Sequence, residues 1–564
     1  MQEQMMTIDG MPVRIHDEKN LLELIHKVGV KMPTFCYHSD LSVYGACRMC
    51  MVENERGGLE AACSTPPKAG MNIRTNTERL RKYRKMILEL LLADHCRDCT
   101  TCSNNGSCKL QSLAVRFHIE GVRFPNTSPT PKIDDSSVSI TRDASKCILC
   151  GDCVRVCDEI QAVGAIDFIN RGSKMYIGTA FDKPLPETDC VGCGQCSLAC
   201  PTGAIVVKDN IPEVWKLLDD EKVSVSVQVA PAVRVAIGRE FGLTDGADCM
   251  GKIATALRHI GFDEVYDTST AADLTVMEEA AEFAEKFAAG ETEKMPMFTS
   301  CCPAWIQFCE KKHPEILPYI STCRSPMQMF ASVLRTYHAE NADGKEHRHV
   351  AVMPCTAKKF EAKRDEFKVD GLPNVDYVIT TQELIQMIKE SGILFEDIEP
   401  AGMDMPFALK SGGGIIFGVT GGVTEAVLRR ISEDKSLAAV QAISYHGVRG
   451  MDGVKEAQVM HAGKPVKIAV VSGLRNAENL LKQVMSGDVH YDFVEVMACP
   501  GGCICGGGQP FVRRASKQKR SDGLYETDKI SSMKSSDENP VMRELYEGLL
   551  KGREHELLHV KYWN

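Results

Sequence analysis

Twenty-five cysteines stand in a chain of 564 residues, and their spacing constrains the fold more than any other feature. They fall into five groups. The first is Cys36, Cys47, Cys50 and Cys63; the second is His95 with Cys99, Cys102 and Cys108. The third is Cys147, Cys150, Cys153 and Cys157, and the fourth is Cys190, Cys193, Cys196 and Cys200. The fifth is dispersed: Cys301, Cys302, Cys355, Cys499 and Cys503, which only a folded domain gathers. The length excludes a small disulfide scaffold. Met1-Gln-Glu-Gln-Met-Met lacks the basic and apolar stretches of a signal peptide, so a cytoplasmic location is expected. In that reducing compartment, thiols at these gaps point to metal.

Charge narrows the partners. Lys plus Arg is 66 against 76 for Asp plus Glu, a net charge of −10, which argues against nucleic acid. No apolar run reaches the ~18 residues of a membrane span, so no membrane partner is expected.

The first module opens with Met5-Met6-Thr7-Ile8, Asp9-Gly10 and Val13-Arg14-Ile15, a hairpin signal. A helix over 20–28 follows, with Leu21, Leu24, Ile25 and Val28 on one face. Hairpin then helix predicts a β-grasp fold, and its four cysteines predict a [2Fe–2S] site. Gly45 and Ala46 leave room for backbone N–H groups near the sulfurs. The alternative is a Cys₄ zinc site.

A helix over 77–92, with Leu80, Tyr83, Ile87, Leu90 and Leu91 buried, delivers His95. His95 with Cys99, Cys102 and Cys108 predicts a [4Fe–4S] site with one imidazole ligand, which raises a cluster's potential. Cys96 breaks the spacing and has no assignment.

Residues 190–201 carry the full bacterial C-x₂-C-x₂-C-x₃-C-P run, and 147–157 repeat its spacing. In such modules the fourth cysteine serves the other cluster. One [4Fe–4S] set is then Cys147, Cys150, Cys153 and Cys200; the other is Cys190, Cys193, Cys196 and Cys157. These modules form a relay for single electrons.

Beyond residue 223 apolar runs and helices alternate, over 223–229, 233–241, 251–260, 351–353 and 468–471. That pattern predicts α/β layers with parallel strands and a site at their carboxyl ends. Three segments carry the dispersed cysteines: Thr299-Ser-Cys-Cys302-Pro-Ala-Trp305, Met353-Pro-Cys355-Thr-Ala-Lys358-Lys-Phe-Glu361, and Glu495-Val-Met497-Ala-Cys499-Pro-Gly-Gly-Cys503-Ile-Cys-Gly-Gly-Gly-Gln-Pro510. All three, in order, closely resemble the signatures of [FeFe]-hydrogenases, and the resemblance covers nearly the whole chain.

The resemblance implies an enzyme interconverting H₂ with two protons and two electrons. Cys302, Cys355, Cys499 and Cys503 would hold a cubane, with Cys503 bridging to a two-iron group bearing CO, cyanide and a dithiolate. Together these form the H-cluster, where H₂ is split between an iron and a basic amine. Lys358 offers an ammonium to cyanide. Met353, Met497, Ala230 and Pro231 would wall the pocket, and Ser325 would donate near the dithiolate. The glycines at 501, 502 and 506–508 let backbone come close. Cys301 resembles the family's proton-donor thiol. Glu279, Glu282 and Ser321 match its proton channel, the two carboxylates sharing a face by i,i+3 spacing.

Other segments have bland readings. The glycine-rich stretch 410–422 lacks either nucleotide motif and is expected to pack near the cofactor. The basic stretch 513–520 is expected as a solvated linker or a docking patch. Cys249, Cys309, Cys323 and Cys505 are expected to be small buried side chains. The tail from about 515 resembles the family's small subunit, with Asn539 capping a helix that starts at Pro540 and a mobile loop over 522–537.

The expected parts are a [2Fe–2S] β-grasp domain (1–78), a His-Cys₃ [4Fe–4S] domain (79–136), a 2[4Fe–4S] ferredoxin-like domain (137–210), an H-cluster catalytic domain (211–514) and a small-subunit-like segment (515–564). The cofactors expected are an H-cluster, one [2Fe–2S] and three accessory [4Fe–4S] clusters. The partners expected are ferredoxin or a flavoprotein diaphorase, with maturation proteins that build the diiron group. Gly121-Val-Arg-Phe124 and the 142–151 segment look more like the multisubunit, NAD-linked electron-bifurcating branch. A sensory hydrogenase would need a signalling domain. A Nar1-like assembly protein would lack Cys301 and the full third motif, and an NADH dehydrogenase subunit resembles residues 1–205 only.

Overall fold

A computed structural model of the chain describes residues 4–127, 133–340, 344–369, 371–432, 447–512 and 514–562. Arg513 of the basic stretch and Asn564 of the tail lie outside the described residues. The chain divides into two compact units. One comprises 1–160, 164–188 and 199–206; the other comprises 161–163, 189–198 and 207–564.

The first unit starts with the expected hairpin, Met5–Ile8 against Met11–Arg14. Asp9 and Gly10 both take positive φ, 51° and 84°, as a tight two-residue turn matching strand twist requires. Asn20 caps the helix Leu21–Lys27 by accepting the Glu23 N–H at 3.0 Å. Leu21, Leu22, Leu24 and Ile25 are buried beneath it, while Val28 ends it and is only half-buried. The first strand pairs parallel with Asn72–Arg74, in a five-stranded sheet that also holds Met51–Asn54 and Leu59–Ala61. A parallel pair inside an otherwise antiparallel sheet, crossed by one helix, is the β-grasp arrangement.

Glu78–Ala93 is helical, with Thr77 as its cap. Leu80 and Leu88 are buried, but Leu90 is 46% exposed, against expectation. The buried stripe follows Leu80, Arg84 and Leu88, four residues apart, so Leu90 points away. Arg84 is tolerated inside because its guanidinium donates to the carbonyls of Met49, Met51 and Thr75.

The second unit holds two four-stranded sheets. In one, Glu264–Asp267, Val223–Val229, Glu346–Met353 and Tyr377–Thr380 lie side by side, all parallel. In the other, Met297–Phe298, Phe493–Met497 and Lys464–Ser472 are parallel, and Val454–His461 adds an antiparallel edge. The first sheet is buried by the helices Met250–Ile260 and Thr381–Glu390, giving a core of Val, Ile and Leu. Both sheets end at one cavity: residues that follow or close the strands at 229, 267, 298, 353 and 497 line it.

Three expectations change here. Residues 233–241 form no α-helix; short 3₁₀ turns at Pro231–Val233 and Gly238–Phe241 stand on either side of Arg234 instead. The fully buried Arg234 guanidinium grips Asp267 at 2.7 and 2.9 Å, which fixes that backbone. Residues 522–537 are no mobile loop: Arg514–Ile530 is a helix, and Asp528 on it receives Arg429 at 2.8 Å. The basic stretch is no solvated linker either. Arg520 is buried and donates to the Ile504 and Pro510 carbonyls, closing the chain after the third motif. Asn539 caps Pro540–Glu547 as expected, and its side chain also reaches the buried Asp273 at 2.9 Å.

Candidate active site and metal centres

The cavity has a volume, mouth included, of about 750 Å³. Ala230, Pro231, Met353, Cys355, Lys358, Met497, Cys499, Cys503, Cys301 and Cys302 all line it, so the three dispersed motifs and the 230–231 turn converge. Cys302 ends the loop after the Met297–Phe298 strand and starts the helix Pro303–Lys312, whose positive end therefore faces the thiols. Cys355 follows the Glu346–Met353 strand, and Cys499 follows Phe493–Met497.

Burial pushes the thiols of Cys302, Cys355, Cys499 and Cys503 up, Cys355 to about 11, and those of Cys355, Cys499 and Cys503 are raised further by neighbouring thiols of the set. Four such thiols become thiolates together only beside strong positive charge, which the irons of a cubane supply. The glycines serve close approach: a Cβ on Gly506 would lie 2.2 Å from the Pro354 oxygen, and one on Gly502 would lie 2.6 Å from the Thr420 nitrogen. Donor set, walls and backbone approach all fit an iron–sulfur cluster extended into the cavity.

Lys358 donates to Glu361 at 2.7 Å and to the Cys301 carbonyl at 3.3 Å. Ser325 donates to that same Glu361 at 3.1 Å; its neighbours Pro326 and Met327, not Ser325, line the cavity. Thr268, Ala272, Phe417 and Gly418 also line it and were not singled out from sequence. The glycine-rich 410–422 stretch was the only signal for the last two. Thr268 and Ala272 open the helix that bears Glu279, and nothing local marks them.

Cys301 is 8% exposed, and burial pushes its thiol well up, with Glu279 raising it further. Glu279 is wholly buried on the Thr268–Ala288 helix, and among the described residues its carboxyl makes no short hydrogen bond, only a weaker approach from the Ser300 backbone. Desolvation, then the charges of Glu282 and Glu495, push it up to about 8; only the Ser300 backbone pulls the other way. Glu282 accepts from Ser321 Oγ at 2.7 Å and from Lys286 at 2.8 Å. Glu495, unassigned from sequence, is buried and accepts from the Gly421 and Thr424 N–H groups.

The accessory sites follow. In the first unit, Cys47 N–H points to Cys36 Sγ at 3.3 Å, and Phe35 N–H to Cys47 Sγ at 3.4 Å. Cys63 and Cys50 bear electrostatically on the same pair, so the four thiols face one another. His95, Cys99 and Cys108 line one cavity, and Cys102 acts on Cys108. His95 Nδ1 lies 3.1 Å from the Cys96 carbonyl, while its buried Nε2 has no partner. Burial lowers the imidazole's pKa, which favours the neutral form a ligand needs. Cys96 thus orients the ring by its backbone. Cys147, Cys150, Cys153 and Cys200 line another cavity of that unit. Cys157 lies in the same unit but not in that cavity's lining. Cys190, Cys193 and Cys196 lie in the second unit. Cys249, Cys309, Cys323 and Cys505 are buried and stand outside these sets.

Family models match along the chain. Residues 223–507 match the iron-only hydrogenase large subunit, C-terminal domain, and 514–564 match the iron hydrogenase small subunit. Residues 4–78 match a 2Fe-2S iron–sulfur cluster binding domain, 84–123 the iron–sulfur binding region of NADH-ubiquinone oxidoreductase G, and 146–204 a 4Fe-4S dicluster domain. The sequence is 42% identical to the NADP-reducing hydrogenase subunit HndD of Solidesulfovibrio fructosivorans, over 99% of this chain and 98% of that one. It is 37% identical to iron hydrogenase 1 of Clostridium pasteurianum, over 98% and 99%. A solved variant of the [FeFe]-hydrogenase HydA1 from Chlamydomonas reinhardtii superposes with TM-score 0.54 at 38% identity, covering 63% of this chain and 98% of that one.

Proposed function

The chain belongs to the iron-only hydrogenases, and from that premise we propose that it catalyses 2 H⁺ + 2 e⁻ = H₂ reversibly, with electrons relayed through its iron–sulfur modules. The observation that carries this reading is the convergence on one cavity of four thiols, Cys302, Cys355, Cys499 and Cys503, with a fifth, Cys301, on which the buried Glu279 acts.

Cys302, Cys355, Cys499 and Cys503 would hold the cubane, and the space lined by Met353, Met497, Ala230 and Pro231 would take the diiron group. When bound, that group supplies the centre at which H₂ is made or split. The chain supplies the rest. Met353, Met497 and Phe417 exclude water. Lys358, steadied by Glu361, aims an ammonium into the cavity for an anionic ligand. Cys301 holds a proton as a neutral thiol at the cavity wall. Glu279, titrating near neutrality, receives and returns it. Ser321, Glu282 and Lys286 continue the path outward.

The five-part division expected from sequence, and its ligand sets for the accessory clusters, complete the proposal. His95 Nε2, buried and unpartnered, supports the His-Cys₃ set, and the cavity shared by Cys147, Cys150, Cys153 and Cys200 supports the third. Maturation proteins that build the diiron group are implied partners. For the electron partner, ferredoxin is the first reading. The likeness to HndD over nearly the whole chain favours a second: a hydrogenase subunit in a complex whose flavoprotein partner reduces a nicotinamide. A cytoplasmic location is part of the proposal; among the described residues no helix is long and apolar enough to cross a membrane. Affinity purification from the native host separates the two readings. A co-purifying flavoprotein establishes the complex, and an isolated chain that exchanges electrons with ferredoxin establishes the first reading.

A further inference from the structure

Thr356 is buried and donates Oγ1 to the Gly192 carbonyl at 2.7 Å. Its position in the chain makes that bond unusual. Thr356 directly follows Cys355, and Gly192 directly precedes Cys193. We propose that this hydrogen bond is the electron hand-off between the cluster on Cys190, Cys193 and Cys196 and the cubane on Cys302, Cys355, Cys499 and Cys503. The inference rests on the reading of those cysteines as ligands. In the step, one electron leaves the first cluster and reduces the second, or the reverse.

Tunnelling falls steeply with distance and more steeply across gaps than along bonds. The favoured route is therefore the one with the shortest covalent arms and one short hydrogen bond. Other contacts join the same loops by longer arms. Gln195 Nε2 donates to the Cys505 carbonyl at 3.0 Å; Gln195 directly precedes Cys196, but its long side chain adds bonds and Cys505 stands two positions from Cys503. Gly507 packs on Cys193: a Cβ there would lie 2.3 Å from the Cys193 oxygen. Gly507 is four positions from Cys503, and the approach has no hydrogen bond in it. Cys193 also bears electrostatically on Cys499 across space. Of the hydrogen bonds named, only that between Thr356 and Gly192 has both partners directly adjacent to a ligand.

The surroundings hold this bond in place. A Cβ on Gly194 would lie 2.4 Å from Thr356 Oγ1, so glycine there is what lets the loop seat. Lys311, at the far end of the helix that begins after Cys302, donates to the Cys190 carbonyl at 2.7 Å. Neighbouring Lys312 grips the Ala162 carbonyl at 2.7 Å. The cluster loop is thus clamped by the same helix that carries a cubane ligand at its start.

The test replaces the hydroxyl and keeps the shape. Thr356→Val removes the donor; Thr356→Ser keeps it. Both are prepared with their iron–sulfur clusters but without the diiron group, so no hydrogen turnover enters the readout. Accessory clusters are reduced by a flash, and the spread of the electron to the cubane is followed by freeze-quench electron paramagnetic resonance. The expected result is equilibration several-fold slower in Thr356→Val, wild-type speed in Thr356→Ser, and unchanged iron content and cluster potentials in both. Wild-type speed in Thr356→Val overturns the proposal, as does a slowing explained by a shifted potential. If the valine variant fails to load its clusters, Thr356→Ala is measured in its place. Wild-type protein that never shows a cubane signal contradicts the ligand reading instead, and the two failures are distinguishable.

Discussion

Glu279 and Glu282 stand one helical turn apart on the same helix, and their surroundings are opposite. Glu279 is wholly buried and, among the described residues, makes no short hydrogen bond, whereas Glu282 collects Ser321 Oγ at 2.7 Å, Lys286 at 2.8 Å and the Thr322 N–H at 3.0 Å. Desolvation holds the Glu279 carboxyl protonated up to about 8, which suits it to pass protons inside, while the ring of donors around Glu282 suits that residue to hand them onward.

Glu279→Gln removes the inner step. Turnover should fall by about 10²–10⁴, the usual contribution of a positioned acid or base. Stability should move the other way. The unfolded carboxyl ionises above its ordinary value of 4.5, but the folded one keeps its proton until about 8. Its burial therefore costs stability that grows as pH rises from 4.5 to about 8. The variant should exceed the wild type by a few kcal/mol at pH 8, with the gap closing toward pH 4.5. Denaturant unfolding at several pH values reads this, and a gap independent of pH contradicts it.

Cys301→Ala should abolish turnover while leaving the loaded cavity intact, since Cys301 is a fifth thiol beyond the four-ligand set. Infrared bands of CO and cyanide should persist with hydrogen evolution near background. Loss of the bands along with activity would make Cys301 a structural ligand instead.

His95 Nε2 is buried and without a partner among the described residues, and burial lowers the imidazole's pKa, favouring the neutral form. His95→Ala should cost the module its cluster. His95→Cys should keep it with a lower reduction potential, because a thiolate adds negative charge. Redox-poised paramagnetic resonance measures this; an unchanged potential in His95→Cys would mean that His95 is not a ligand.

Asp267 is held by Arg234 at 2.7 Å, both fully buried, and Asp267 caps the helix that carries Glu279. Burial alone would raise its carboxyl, but Arg234 and Lys410 hold it well below the ordinary range. Its contribution is present above the unfolded value of 3.8 and is lost as pH falls through the folded one. Asp267→Asn leaves the Arg234 charge unpaired and should cost roughly 3–5 kcal/mol, read by denaturant unfolding. A loss under 1 kcal/mol would show that Arg234 finds another partner.

Spacing singled out the proposed ligands, because a cluster would impose its geometry on chain segments as short as Cys190–Cys200. Strand and helix patterns gave the α/β layers, and turn chemistry gave Asp9-Gly10 and Asn539-Pro540. What sequence concealed was polar groups with distant partners. Arg84, Arg234 and Arg520 read as surface charges, yet each is buried by carbonyls or a carboxylate supplied from elsewhere. The same holds for Asp528, whose partner Arg429 stands far off in the chain and turns an apparent loop into a helix. Within the site, cysteines and glycines declared themselves. Thr268, Phe417 and the Thr356 bond did not, since their role comes only from where two sheets end together.

The central claim is tested most directly on matured protein assayed for hydrogen evolution from reduced viologen, with infrared spectra of the same sample. The account predicts hydrogen together with CO and cyanide bands, and both lost in Cys503→Ser. A sample that shows the bands and evolves no hydrogen would contradict it.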